Sequence, residues 1–170
     1  LELINNKEMI LHVYEAAKKT NTGEVYVATP DQKIIDVITN HGGQAVLTSL
    51  EHQTGTDRVY EVFKNELRNE PSLIINLQGD MPNIDPKAIS NLISYMKKGK
   101  CDIGTLASKF VSEKELKDEN NVKVAVKEKI KSDNFRKATD FFRTSSNTHK
   151  NIYHHVGIYA FTNKALVRYV

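Results

Sequence analysis

At 170 residues, with 39% apolar and 26% charged side chains, the chain is sized for one folded domain that needs neither disulfides nor a structural metal. No apolar run approaches the roughly 20 residues of a membrane span, and a net charge of +3 is too small to mark a nucleic-acid binder. A lone cysteine, Cys101, excludes an internal disulfide, and without a basic, apolar leader the sequence reads as that of a protein from a reducing cytoplasm.

Taken in order, residues 6–19 place Met9, Ile10, Val13 and Ala17 on one helical stripe and stop at Asn21-Thr22-Gly23. Residues 24–29 (EVYVAT) read as a buried strand, Asp31 as the cap of a helix carrying Ile34, Ile35 and Ile38, and Gly42-Gly43 as its exit into a strand at 44–49. A polar loop leads to a helix over 57–67, and residues 72–78 (SLIINLQ) form the most apolar strand candidate. Asp85 and Pro86 open a helix striped with Ala88, Ile89, Leu92, Ile93 and Met96. A strand from Cys101 follows, then a short helix over 112–118 with capping-box spacing, Ser112 to Glu115. Strands are predicted at 121–128 and 152–161 and a helix start after Thr162, while the tract between Lys129 and Asn151 lacks periodicity and reads as irregular or partly helical.

Strands alternating with helices predict an α/β fold: three layers, with a mainly parallel, mixed sheet covered by helices on both faces, as in Rossmann-like nucleotide-binding folds. In such folds ligands bind beyond the carboxyl ends of the strands. That rule singles out Asp80, which ends the apolar run LIINLQGD after a glycine that would let a ligand approach the backbone. Mg²⁺ takes one or two protein carboxylates together with substrate phosphates, so Asp80 suits a metal ligand; it suits equally an aspartate that caps the turn before Pro82. The loop HQTGTDR, 52–58, can present backbone N–H groups, threonine hydroxyls and the Arg58 guanidinium to a planar polar ligand, or it is an ordinary loop in which Asp57 caps the next helix. His154 and His155 face opposite sides if they lie on a strand, and His155 then shares a face with Gly157 and Tyr159. Zinc spacings, GxGxxG, GxSxG and Walker motifs do not occur.

In order, VATP, GG, HQTGTDR, IINLQGDMP, NNVKVAV, FFR and YHHVGIYAF resemble the 3-deoxy-manno-octulosonate cytidylyltransferases, the CMP-Kdo synthetases, across nearly the whole chain. The resemblance implies a nucleotide-diphospho-sugar transferase fold and cytoplasmic transfer of CMP from CTP to the eight-carbon acid Kdo, with release of pyrophosphate, for lipopolysaccharide assembly. It implies Mg²⁺ as cofactor, CTP and Kdo as small-molecule partners, no nucleic acid or membrane, and a homodimer. Carried over, Asp80 holds the metal beside the α-phosphate and acts in catalysis with Gln78, which also touches the sugar acid. Thr54, Gly55, Thr56 and Arg58 bind CTP, and Arg143, His155 and Tyr159 line the sugar pocket. This sequence has Met81 where the family has glutamate in QGDEP, Pro30 where aspartate is usual, and Phe142 in place of a serine beside Arg143.

The alternatives are a cytidylyltransferase for another acidic sugar, such as a sialic acid, and a non-catalytic nucleotide-binding or assembly fragment. The chain opens at Leu1 and stops within a helical pattern, so 1–170 reads as a single nucleotidyltransferase domain truncated at both ends. The family's N-terminal triphosphate loop and a second metal-binding aspartate are expected outside it. Residues 1–170 alone are therefore expected to bind CTP weakly and turn over little, which an assay of CMP-Kdo formation by the purified span checks.

Overall fold

A computed structural model describes residues 1–67, 71–99, 101–131, 135–144 and 149–170. In chain order its elements are β1 (Leu3–Ile4), β2 (Lys7–Glu8), α1 (Met9–Lys19), β3 (Tyr26–Thr29), α2 (Gln32–Asn40), β4 (Gln44–Leu47), α3 (Gly55–Glu66) and β5 (Leu73–Asn76). They continue with α4 (Pro86–Met96), β6 (Ile103–Ser108), α5 (Glu113–Lys117), β7 (Lys123–Val126), β8 (Ala138–Phe142), β9 (Asn151–Thr162) and α6 (Asn163–Tyr169). Two compact units result: Leu1–Gly104 with Ile158–Val170, and Thr105–Gly157.

The first unit opens with a hairpin that the sequence reading merged into a helix. Asn5 and Asn6 have φ of 51° and 61°, the left-handed pair that a two-residue hairpin turn requires. β1 and β2 pair antiparallel around them, and α1 begins only at Met9. The buried face of α1 is Leu11, Val13 and Ala16, rotated from the predicted stripe. β3, α2 and β4 form a βαβ unit with parallel pairing, Tyr26 beside Gln44 through Thr29 beside Leu47, and α2 packs on both strands. Its cap is as expected: Asp31 Oδ1 accepts from the Lys33 N–H at 2.9 Å. Asp85 does the same for α4 at 2.8 Å, and α4 buries Ile89, Leu92, Ile93 and Met96.

β5 runs antiparallel to the last residues of β9, with Ile74 opposite Phe161 and Asn76 opposite Tyr159. Directly opposed residues share a face, and here Ile74 and Phe161 join Phe63 of α3 and Leu166 of α6 in one core cluster. Thr162 caps α6, accepting from the Ala165 N–H at 3.2 Å.

In the second unit, β7 pairs antiparallel with β8 on one side and with the start of β9 on the other. β8 falls in the tract read as irregular. Its central residues are exposed and carry no alternation, so only pairing to β7 identifies it. The Thr139 hydroxyl adds a bond to the Ala125 carbonyl at 3.1 Å. Ser112 caps α5 as expected, accepting from the Glu115 N–H at 3.2 Å. The Glu115 carboxylate, however, reaches the Val111 N–H at 2.7 Å. The mixed α/β class stands; among the described ladders whose direction is defined, β3–β4 is parallel and the other four are antiparallel. Between α5 and β9 no described helix crosses over, and strands joined without a crossover pair antiparallel.

Lys123 at the start of β7 is 0% exposed. Its ammonium donates to the carbonyls of Asp118 at 2.6 Å, Asn121 at 3.0 Å and Arg143 at 2.7 Å. Three donors on three acceptors satisfy the group completely, and they tie the 118–121 turn to the end of β8. Lys123→Met fills the space but leaves these carbonyls without their donor. It is expected to cost about 2 kcal/mol, read as a lower urea midpoint at unchanged slope.

Candidate active site

The tip of β5 is built around a polar residue inside an apolar strand. Asn76 is 3% exposed, so its amide must find partners within the protein. Its Nδ2 donates to the Thr56 hydroxyl of α3 at 3.2 Å, and its Oδ1 accepts from Gln78 Nε2 at 2.8 Å. The chain Thr56–Asn76–Gln78 therefore fixes the start of α3 against the end of β5. Gly55 lets the Gln78 amide lie close at this joint: a Cβ there would stand 3.1 Å from Gln78 Nε2 and 3.2 Å from Oε1, so the amide would have to shift. Gln78 Oε1 accepts no bond from a described residue.

Two residues on, Asp80 is exposed and forms no hydrogen bond or ion pair with a described residue. The side chain does not cap the turn before Pro82 through any described hydrogen bond, and its carboxylate is open to solvent. Gly79 has a different role from the one its position suggested: a Cβ would sit 3.1 Å from Ile10 Cδ1, so the glycine makes room for α1.

The start of α3 is a complete capping box. Thr54 Oγ1 accepts from the Asp57 N–H at 3.2 Å, and Asp57 Oδ2 accepts from the Thr54 N–H at 3.0 Å and from its hydroxyl at 2.7 Å. Asp57 thus supports the cap, but Thr54 occupies the cap position. The hydroxyls of Thr54 and Thr56, expected to face CTP, are both engaged inside the protein. The N–H groups of Gly55 and Thr56 bond no described residue and sit at the positive end of the helix. Arg58 Nη1 donates to Thr48 Oγ1 at 2.5 Å and to the Ser49 carbonyl at 2.8 Å, so it anchors the preceding loop. That loop is held again by Glu61, whose Oε2 accepts from the Ser49 N–H at 3.0 Å and from His52 Nε2. The His52 bond, followed by that from Ser49, holds the Glu61 carboxyl below the usual carboxylate range.

Tyr159 lies across from Asn76 on the same face, packed on Phe161 at 6.1 Å between ring centres. Burial, with a smaller contribution from Tyr169, raises its phenol above the ordinary value. The structure thus brings Thr54, Gly55, Thr56, Arg58, Gln78, Asp80 and Tyr159 together in the first unit.

Arg143 and His155 belong to the second unit. The two histidines do face opposite ways. His154 pairs with Glu115 at 3.0 Å and stacks on Phe110, whereas the buried His155 meets Thr105 Oγ1 at 2.9 Å and the edge of Phe141. Burial, then the neighbouring His154, lowers the pKa of His155. Arg143 is exposed, and its Nη1 donates to the carbonyls of Glu119 at 3.2 Å and Asn120 at 3.0 Å. Its guanidinium therefore braces the turn that Lys123 holds from within.

Among the described residues no group of three His, Cys, Asp or Glu could enclose a metal ion. A lone exposed carboxylate fits an octahedral cation that keeps several waters and takes its other ligands from phosphates, and among the described residues it does not form a cage site. A concavity of about 810 Å³ is lined by Ser72, Asp102, Thr162, Asn163, Lys164, Val167 and Arg168. It adjoins the amino end of β5, away from Asp80, and contains none of the predicted site residues. Sequence reasoning missed Asn76, His52 and Glu61. Asn76 carried a signal, as the single amide within LIIN; the other two carried none.

A profile of the cytidylyltransferase family matches residues 1–170. The chain is 35% identical over 168 residues to the 3-deoxy-manno-octulosonate cytidylyltransferase of Bartonella henselae, covering 98% of this chain and 69% of that protein. It is 37% identical over 164 residues to the 8-amino-3,8-dideoxy-manno-octulosonate cytidylyltransferase of Shewanella halifaxensis, covering 95% and 66% respectively. Among solved structures, a CMP:2-keto-3-deoxy-manno-octonic acid synthetase complexed with CTP matches with a TM-score of 0.83 at 36% identity, over 99% of this chain and 69% of that one. A 4-diphosphocytidyl-2C-methyl-D-erythritol synthase from Anaerococcus prevotii, 14% identical with a TM-score of 0.62 over 98% and 69%, shares the fold. The chain spans about two thirds of the length of the curated relatives it matches.

The lowered pKa of His155 has a pH consequence. A histidine whose folded-state pKa lies below its unfolded value of about 6.5 stabilises the fold above that value, and the contribution is lost as pH falls through the folded pKa. Thermal stability is expected to fall between about pH 7 and pH 5, and His155→Gln to flatten part of that slope in paired melting curves.

Proposed function

The chain belongs to the cytidylyltransferase family, among the 3-deoxy-manno-octulosonate cytidylyltransferases, and we propose that it acts in transfer of CMP from CTP to the anomeric hydroxyl of Kdo. In this reaction the sugar oxygen attacks the α-phosphorus in line. The new O–P bond forms as the bond to the β-phosphate oxygen breaks, pyrophosphate leaves with the bonding pair, and the hydroxyl proton is released. Negative charge is already present on both reactants, so the site needs positioning and cationic or N–H donors more than a protein nucleophile.

The observation that carries the reading is the exposed Asp80 carboxylate, without a partner among the described residues, at the end of β5 and beside the Gln78–Gly55 joint. Asp80 would hold Mg²⁺, which when bound supplies charge neutralisation to the phosphates. The Gly55 and Thr56 N–H groups would bind the nucleotide, with Arg58 fixing the loop that carries them. Gln78 Oε1 has acceptor capacity for a sugar hydroxyl, and Tyr159 on the adjoining strand extends that surface. His155 and Arg143 are included on the family resemblance, for the sugar hydroxyls and carboxylate. The same reading includes a homodimer working in a reducing cytoplasm on behalf of lipopolysaccharide assembly; the unpaired thiol of Cys101, raised in pKa by burial, agrees with a reducing compartment.

A second acceptor has a specific observation behind it: the 37% identity to a Shewanella enzyme named for the 8-amino-3,8-dideoxy sugar. Pyrophosphate release from CTP, measured on the full-length protein with Kdo, its 8-amino analogue and a sialic acid, separates the acceptors by kcat/KM. Kdo is expected to lead by at least about tenfold, near the limit that one polar contact sets. Asp80→Asn is expected to lower kcat by about 100-fold or more and to abolish its dependence on Mg²⁺ concentration. A folded Asp80→Asn variant with undiminished, Mg²⁺-dependent turnover would overturn the reading.

A further inference from the structure

The loop between β4 and α3 carries the segment read as nucleotide-binding, yet nothing apolar holds it in place. Leu50 is 82% exposed, and Ser49, Glu51, Gln53 and Thr54 are exposed as well. Burial therefore cannot define its path, and polar contacts must. α3 supplies them from two residues one turn apart, Arg58 and Glu61, which point at the same stretch. Arg58 takes Thr48 and the Ser49 carbonyl. Glu61 takes the Ser49 N–H and, with the same oxygen, His52 Nε2. His52 and Glu61 side chains are only 22% and 25% exposed, so the hydrogen bond between them is partly shielded from water. Two residues beyond His52 the chain enters the capping box at Thr54, and Gly55 then lies under the Gln78 amide.

We propose that Glu61 and His52 are positioning residues for nucleotide binding: without touching CTP, they hold the loop so that the Thr54–Arg58 segment meets the nucleotide already ordered. This rests on the reading that Thr54–Arg58 binds CTP. Among the described contacts Arg58 fastens the loop at its first two residues, whereas Glu61 grips it at both Ser49 and His52. Releasing those two points leaves residues 49–53 to be ordered when the ligand arrives, and the ordering entropy is charged to binding, not to the chemical step.

The experiment compares Glu61→Ala, Glu61→Gln, His52→Ala and the His52→Ala/Glu61→Ala double variant in the full-length protein. CTP affinity is measured by calorimetric titration without sugar, KM for CTP and for the sugar acid by steady-state kinetics, and loop release by amide hydrogen exchange at 49–53. Glu61→Ala is expected to weaken CTP binding and raise its KM about tenfold, with kcat and the sugar KM within about twofold. With its carbonyl oxygen in the Oε2 position, glutamine can still accept from the Ser49 N–H and from the Nε2–H of His52, so Glu61→Gln is expected to recover most of the loss. The double variant is expected to be no worse than Glu61→Ala, because the two residues act through one contact.

Faster exchange at 49–53 in Glu61→Ala with unchanged CTP affinity would overturn the proposal, as would an equal rise in both KM values. Gly55→Ala separates this outcome from failure of the underlying reading. If Gly55→Ala weakens CTP binding and Glu61→Ala does not, only the positioning role fails; if neither does, the segment is not the nucleotide site and both fall. If Glu61→Ala proves unfolded, Glu61→Gln and His52→Ala carry the same comparison, and no change in CTP affinity for either overturns the proposal.

Discussion

A polar amide enclosed in an apolar strand has to be satisfied from within, and in this protein that requirement shapes the site. Asn76, 3% exposed at the end of β5, cannot reach water, and an unpaired buried amide costs on the order of 1–3 kcal/mol. Its partners are Thr56 on the first turn of α3 and Gln78 just beyond the strand. Helix start and strand end are thereby locked in one arrangement. The free carbonyl oxygen of Gln78, the N–H groups at the head of α3 and the exposed carboxylate of Asp80 all follow from that joint. Moving Asn76 to an apolar residue would leave Thr56 and Gln78 to find other partners, so the strand interior and the segment beyond its end are one construction.

The second unit shows the same logic with a charge. Lys123 is enclosed at the edge of β7, where an uncompensated ammonium would be costly, and three backbone carbonyls surround it. Two of the three come from the 118–121 turn and one from Arg143, and Arg143 returns two bonds to the same turn. An irregular turn and the end of an exposed strand are in this way tied together by polar contacts. Both units use buried polar groups to fix segments that their own sequence would leave loose, a device that gives a single geometry at some cost in stability.

Much of the fold is legible in local signals. Asp31, Asp85, Ser112 and Thr162 stand where helices begin, Pro86 sits in a first helical turn, and the apolar runs at 26–29 and 73–76 are strands. Capping and burial of a run depend on residues within four or five positions, so the chain displays them directly. The recognised motifs also mark the right segment ends. What they do not reveal is the division of labour inside a motif. In TGTDR the Thr54 hydroxyl is taken by Asp57, that of Thr56 by Asn76, and the guanidinium grips the preceding loop.

Sequence alone therefore determined the alternation of strands and helices, the helix starts, the family, and Asp80 as the residue at the strand's carboxyl end. Only the tertiary structure decided that β8 is a strand, that Asn5 and Asn6 close a hairpin, that Lys123 is enclosed, and that His52 is tied to Glu61. The reason is the range of the forces involved. Periodicity and capping act across one turn of chain, whereas a hydrogen-bond partner is chosen by proximity in space, and Asn76 and Thr56 are 20 positions apart.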